Sequence, residues 1–264
     1  LIFVQQIKVL LLRYFIEFSF NGTNYHGWQI QPNASSIQQV LENALSVLLK
    51  EKISVVGCGR TDSGVHAEQF FAHFDTSQMI DTGNLRYKLN IFLPADIAIR
   101  SVVTTDDSLH ARFGAISRTY QYRISLSKDP FHMDTLLLFP FKNLDVSLMN
   151  EGAETLLNYT NFKCFSRSRT DVKTYDCEIT EAFWSKDGEV LVFQITANRF
   201  LRNMVRAIVG TLLDIGQGKM TIDDLKNTIK SGERSKAGAS VKAHGLFLTK
   251  IVYPSNSFKT NGEN

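Results

Sequence analysis

Two hydrophobic periods alternate along the chain. Between residues 13 and 20 apolar side chains recur at nearly every second position, the period of a strand, and Asn21-Gly22 closes the run as a turn. Beyond Pro32 the period becomes helical. Ile37, Val40, Leu41, Ala44, Leu45 and Leu48 share a face, and Ser35 or Ser36, each with a glutamine three residues on, can cap the start. Residues 53–58 and 69–74 read as strands on either side of a glycine-rich loop. A shorter helix around 84–91 stops before Pro94, and 97–104 reads as a strand. The second half repeats this alternation with a strand at 119–126, a helix near 145–157, and strands near 176–184 and 190–197. A long helix follows from about 200 to 215. Thr221 with Asp224 forms a capping box for another helix, and 245–253 reads as a last strand.

Each half mixes strands and helices in a similar order, without a repeat of sequence. The fold class implied is α+β: two similar mixed sheet/helix halves joined into one extended antiparallel sheet, with helices packed on one side and a cleft between the halves. The N-terminal half covers 13–108 and the C-terminal half 109–254, with an N-terminal extension at 1–12 and a polar tail at 255–264. No linker rich in proline, glycine or serine separates the halves, so one rigid body is expected.

Composition narrows the choice of partners only slightly. The 264 residues are 44% apolar and 21% charged, ordinary for a globular chain with a sizeable core. A net charge of +3, from 29 basic and 26 acidic residues, singles out neither nucleic acid nor membrane; clustering on one face matters more. Cys58, Cys164 and Cys177 form no CxxC pair, so reduced thiols in a cytoplasm are expected, with no disulfide framework or zinc site. None of the histidines sits in an HExxH arrangement, so no metal is expected. The apolar stretch at 1–12 is interrupted by Gln5, Gln6 and Lys8. It is too short to span a bilayer and lacks the basic start and cleavage site of a signal peptide. It reads as an extension, with a hydrophobic docking segment as the second reading.

Three segments carry candidate chemistry. The first is the loop at 57–66, where Gly57, Gly59 and Gly64 follow an apolar strand and imply a tight turn that lets another backbone approach. Asp62 sits in this loop beside Arg60, a pairing that suits an ionised carboxylate acting as nucleophile or base. An ordinary turn with a local Arg–Asp contact explains the same residues. The second is Arg112-Phe113 followed by Arg118, Tyr120 and Tyr122. Guanidinium groups there could pair phosphates while rings stack on unpaired bases, and an edge strand with two half-buried tyrosines is the plainer alternative. The third is the helix after Asn198. Its apolar face is core, and Arg199, Arg202 and Arg206, at offsets of three and four, line one basic stripe. Such a stripe is either solvated or a phosphate contact.

Taken in order, these segments resemble one family. GRTDSGVHA at 59–67 closely resembles the signature loop of the tRNA pseudouridine synthases that modify positions 38, 39 and 40 of the anticodon arm, the TruA family. The segment from Asn21 to Gln29, Ser36-Ile37-Gln38, Leu41-Glu42, His110-Ala111-Arg112-Phe113, Arg118-Thr119-Tyr120-Gln121-Tyr122, Phe200-Leu201-Arg202-Asn203-Met204-Val205-Arg206 and Gly245-Leu246 also match. The resemblance covers residues 13–253 and implies isomerisation of uridine to pseudouridine in the tRNA anticodon stem-loop. It also implies base flipping, a homodimer in which one tRNA touches both subunits, and no cofactor or metal. Asp62 falls on the family's catalytic nucleophile and Arg60 on the arginine linked to base flipping and to holding that aspartate. Tyr120 falls on the tyrosine that stacks on uracil, and Arg206 on the basic residue that pairs with the aspartate. Arg118, Arg199 and Arg202 are candidate substrate contacts, and Tyr120 is a candidate for handling the C5 proton. Asn21 stands where the family often has Asp, and Ala239 to His244 depart from the usual segment before the final Gly-Leu.

Three rival readings remain at this level. A non-catalytic RNA-binding module explains the tyrosines and arginines but leaves the Asp62 loop unmotivated. A nucleic-acid hydrolase lacks a second carboxylate or metal ligands. A pseudouridine synthase for another RNA shares the chemistry and differs in substrate.

Overall fold

The structure, a computed structural model, describes residues 11–141, 143–167 and 172–258. Most of the expected N-terminal extension and the last residues of the tail lie outside this range. The elements are β1 (Leu12–Phe20), α1 (Ile37–Leu49), β2 (Val56–Gly57), β3 (His66–Thr76), α2 (Thr82–Phe92) and β4 (Ile97–Thr105) in the first half. The second half holds β5 (Ser117–Ser125), β6 (Leu137–Leu138), α3 (Val146–Leu156), β7 (Ile179–Asp187), β8 (Val190–Ala197), α4 (Met204–Gly216), α5 (Ile222–Ser231) and β9 (Leu246–Val252). Among the described residues they form one nine-stranded sheet of order β4-β1-β3-β9-β5-β8-β7, with β2 beside β3 and β6 beside β5.

The α+β architecture and the single continuous sheet match the expectation; a wholly antiparallel sheet does not. β3 and β9 pair in parallel at the join, through His66–Phe247 and Ala67–Leu248, and the short β5–β6 pair is also parallel. β9 lies between β3 and β5, which run in opposite directions, so it must be parallel to one of them. Two apolar cores flank it. The first gathers Phe15, Phe18, Ile37, Leu41, Phe70 and Leu89. The second gathers Tyr122, Phe162, Phe193, Met204, Ile208 and Leu225. β9 contributes to both, Leu248 and Ile251 to the first and Leu246 to the second. Phe258, placed by composition in a polar tail, packs on the first core. It stacks on Phe71 at 5.7 Å and meets Phe15 and Tyr253 edge-on.

Local signals place the helices well. Ser36 caps α1 by accepting from the Gln39 N–H, Asp145 caps α3, and the Thr221–Asp224 capping box opens α5. Two elements are shorter than their patterns. Of 53–58 only Val56–Gly57 pairs as strand, because side chains of α1 take the backbone groups of Ile53 and Val55. Ser46 Oγ accepts from Ile53 N–H, Glu42 from Val55 N–H, and Gln38 donates to the Val55 carbonyl. The predicted helix at 200–215 begins only at Met204. Asn203 before it is left-handed, with φ 68°, while its amide donates to Ser240 Oγ and the Arg202 carbonyl accepts from Arg167 N–H. Arg199 and Arg202 therefore lie in a turn ahead of α4, and the helical basic stripe does not form.

A candidate active site on the glycine-rich loop

The loop leaves β2 and lies on the 21–28 segment. Trp28 N–H donates to the Thr61 carbonyl at 3.4 Å, Gly64 N–H to the Tyr25 carbonyl at 3.2 Å, and the Ser63 hydroxyl to that same oxygen at 3.2 Å. The close backbone approach is made by this underlying segment. A Cβ on Gly27, whose φ is +88°, would lie 2.3 Å from the Thr61 carbonyl oxygen, and one on Gly22 would lie 2.0 Å from that of Val65. Space around Gly59 is open, so the approach expected of the loop's own glycines does not occur there. His66 ends the loop. Its Nδ1 accepts from Gly22 N–H at 3.1 Å, and Nε2 faces the carbonyls of Asp134 and His244 at 3.1 and 3.0 Å, which assigns the proton to Nε2. Burial holds this imidazole below the ordinary histidine pKa, so it is neutral and structural.

Asp62 reaches across the join. Arg206 Nη1 lies 3.3 Å from its Oδ2 and Arg202 Nε 3.7 Å from its Oδ1, and the carboxylate is 28% exposed. Arg206 Nε donates to the Val241 carbonyl at 2.7 Å, which fixes the guanidinium toward Asp62. Arg60, its neighbour in sequence, is exposed and makes no ion pair with Asp62. The sequence-local Arg60–Asp62 pairing is thus replaced by a contact spanning 144 residues. The segment that departs from the family pattern supplies main-chain oxygens here: Val241 to Arg206, Lys242 to the Tyr122 hydroxyl at 2.7 Å, and His244 to His66. A carbonyl is indifferent to its own side chain, so these contacts do not depend on which side chains stand at 241, 242 and 244.

Tyr120 packs against both cores and meets Phe200 edge-to-face at 5.2 Å. Burial above all, with a smaller push from the charge of Asp62, raises its hydroxyl beyond the ordinary tyrosine range. Tyr120 therefore stays protonated, which works against the idea that its phenolate takes the C5 proton and leaves it the role of a ring. Tyr122 is fully buried in the second core and is not a stacking surface. Arg118 is not free to hold phosphate. It donates to the carbonyls of Ala115 and Asn198 at 2.9 and 2.8 Å, and to those of Arg112 and Cys58 at 2.5 and 3.3 Å. It ties the glycine-rich loop to two segments of the other half. Arg112, Arg60, Arg118 and Arg199 form a basic cluster: after burial, repulsion from the other three lowers the pKa of Arg112. Uncompensated guanidinium groups of this kind attract phosphates. Arg112 and His66 stood in motifs quoted from the sequence, but no periodicity marked either as part of the site.

Other chemistries find little support. Burial pushes the Cys58 thiol up to about 12, so it is no nucleophile at neutral pH. Among the described residues no cluster of three His, Cys, Asp or Glu could hold a metal ion, and no helix is long and apolar enough to cross a membrane.

Comparison with known proteins agrees with this arrangement. The profile of the tRNA pseudouridine synthase family matches residues 17–114 and 155–254. The chain is 49% identical over 247 residues to the tRNA pseudouridine synthase A of Parabacteroides distasonis, covering 93% of this chain and 98% of that one. It is 49% identical over 253 residues to that of Porphyromonas gingivalis, covering 94% and 100%. It is 39% identical over 238 residues to that of Bacillus subtilis, covering 89% and 96%. With the family profile matched on both sides of the Asp62–Arg206 contact and relatives aligned over nearly their whole length, the chain belongs to the tRNA pseudouridine synthase family, a family of isomerases.

Proposed function

We propose that the protein isomerises uridine to pseudouridine at one or more of positions 38, 39 and 40 of the tRNA anticodon stem-loop, with Asp62 as the nucleophile. The observation that carries this reading is the carboxylate of Asp62, partly open to solvent and facing two arginines from the opposite half. The reaction breaks the N1–C1′ bond, turns the detached uracil and rejoins it through C5. No atoms are gained or lost, so one carboxylate suffices, either attacking C1′ or removing the 2′ proton to give a glycal. The uridine must first leave its stack, at a cost of a few kcal/mol that is least in a loop or at a stem end. Exposed Arg60 is the group for the vacated space, and the Tyr120 ring receives the extruded uracil, a stack worth about 1–3 kcal/mol. The halves 13–108 and 109–254 form the two walls around the base, and Arg199 and Arg202 hold backbone phosphates without reading sequence.

On the same resemblance, we take the working unit to be a homodimer in which one tRNA touches both subunits, acting in the cytoplasm, where the buried thiols stay reduced. Light scattering with and without tRNA reads the dimer. The decisive assay is tritium release from tRNA labelled at uridine C5. Wild type releases tritium; Asp62→Asn abolishes release and keeps tRNA binding largely intact. Undiminished release by Asp62→Asn discards the nucleophile, and no release by the wild type discards the reaction.

A further inference from the structure

The loop at 106–116 presents two exposed side chains, Arg112 and Phe113, that the mechanism above leaves without a task. Its backbone is pinned on several sides. Ala111 N–H donates to His73 Nδ1 at 3.1 Å, and the N–H groups of Arg112 and Phe113 donate to His110 Nδ1 at 3.0 and 3.3 Å. The Tyr253 hydroxyl donates to the Ala111 carbonyl at 2.5 Å, and Arg118 holds the carbonyls of Arg112 and Ala115. On this rigid base the Phe113 side chain is 77% exposed. Its ring rests on His110, with centroids 4.5 Å apart, and the Arg112 guanidinium carbon lies 5.6 Å from its centroid. The core under the loop is filled by Ala111 and Ala115, so packing does not require an aromatic at 113. A flat ring carried on a pinned backbone, with most of its surface open to solvent, is suited to stacking.

Position supplies the second half of the argument. Arg118, which anchors the Arg112 carbonyl, also reaches the carbonyl of Cys58, four residues before Asp62. The exposed pair therefore stands beside the loop that carries the carboxylate. Arg112 also shares a positive cluster with Arg60, Arg118 and Arg199, and that cluster attracts a polyanion.

From this geometry we infer that Arg112 and Phe113 form a nucleotide subsite next to Asp62, with Phe113 stacked on an unpaired base flanking the target uridine and Arg112 on a backbone phosphate. The inference rests on the function proposed above. A stacking ring meets the π-face that every base presents, so the subsite would hold RNA without demanding one sequence.

The test uses an anticodon stem-loop with 2-aminopurine on either side of the target uridine, titrated with wild type, Phe113→Ala, Phe113→Leu and Phe113→Trp. Wild type and Phe113→Trp should quench the fluorophore. Phe113→Ala and Phe113→Leu should not, and should bind about tenfold more weakly. Thermal melts should be unchanged, since the side chain is exposed. Arg112→Ala should keep the quenching and reduce the slope of log affinity against log salt by about one unit. Full quenching by Phe113→Ala, or restoration by Phe113→Leu, overturns the stack; an unchanged salt slope in Arg112→Ala overturns the phosphate contact. These readouts need binding alone, so a wild type that quenches but releases no tritium refutes the proposed reaction and leaves the subsite standing. A wild type that binds no RNA overturns both.

Discussion

Two guanidinium groups of different quality meet the charge of Asp62. Arg206 is 22% exposed and tethered through Nε to Val241, whereas Arg202 is 58% exposed and 3.7 Å away, a loose surface pair of little energetic worth. Arg206→Ala should therefore slow single-turnover tritium release by about 10²-fold, with Arg202→Ala changing it far less. Arg206→Lys should not restore the rate, because a single ammonium cannot bridge the Val241 carbonyl and Asp62 as the planar fork does. Arg118 predicts a different outcome. Its four carbonyl partners make it a positioning residue, so Arg118→Ala should lower kcat and leave the salt slope of tRNA binding unchanged. A smaller slope would restore Arg118 as a phosphate contact. At this scale Asp62 stood out as a candidate because three glycines mark an unusual loop and that loop resembles the family's signature. Its partner Arg206 was legible only through the family resemblance, because 144 residues of chain intervene and no local pattern links the two.

At the scale of elements, local chemistry decides where helices start. Ser36 is fully buried and accepts from the Gln39 N–H, so Ser36→Ala should cost about 1 kcal/mol, seen as a lower urea midpoint at constant slope. The segment under the glycine-rich loop is less forgiving. At Gly27 an alanine would need a left-handed backbone while its Cβ met the Thr61 carbonyl, so Gly27→Ala should destabilise by at least about 2 kcal/mol and displace Asp62 with the loop. A variant with unchanged melting and activity would refute the account of the close approach. Where patterns misled, distant groups had taken over the backbone. Side chains of α1 satisfied residues 53–55, and Ser240 with Arg167 held the turn before α4.

The whole molecule carries a pH dependence in its buried and half-buried histidines. His73 is pushed down to about 4, by burial first and then by the charges of Arg13 and His110, with Asp75 opposing. His66, His110 and His244 are lowered too. A depressed folded pKa means that the unfolded chain binds the proton more readily. Stability is therefore full above pH 6.5 and falls as pH drops from 6.5 toward 4, by roughly 3 kcal/mol for His73 alone. Urea midpoints measured across this window should decline, and His73→Gln should flatten part of the decline. A flat profile in the wild type would show these histidines to be accessible to protons in the folded state.

Most helix starts, the α+β class, the family and the choice of Asp62 as a candidate were legible in the sequence, because periodicity, capping residues and an ordered set of short motifs act within a few turns of chain. Tertiary structure decided that Arg202 and not Arg60 joins Arg206 at Asp62, that Arg118 and Tyr122 are spent inside the fold, and that β9 joins the halves by running parallel to β3 and antiparallel to β5. Those outcomes depend on charges and hydrogen-bond partners brought together by strand order, and no local pattern of side chains encodes that order.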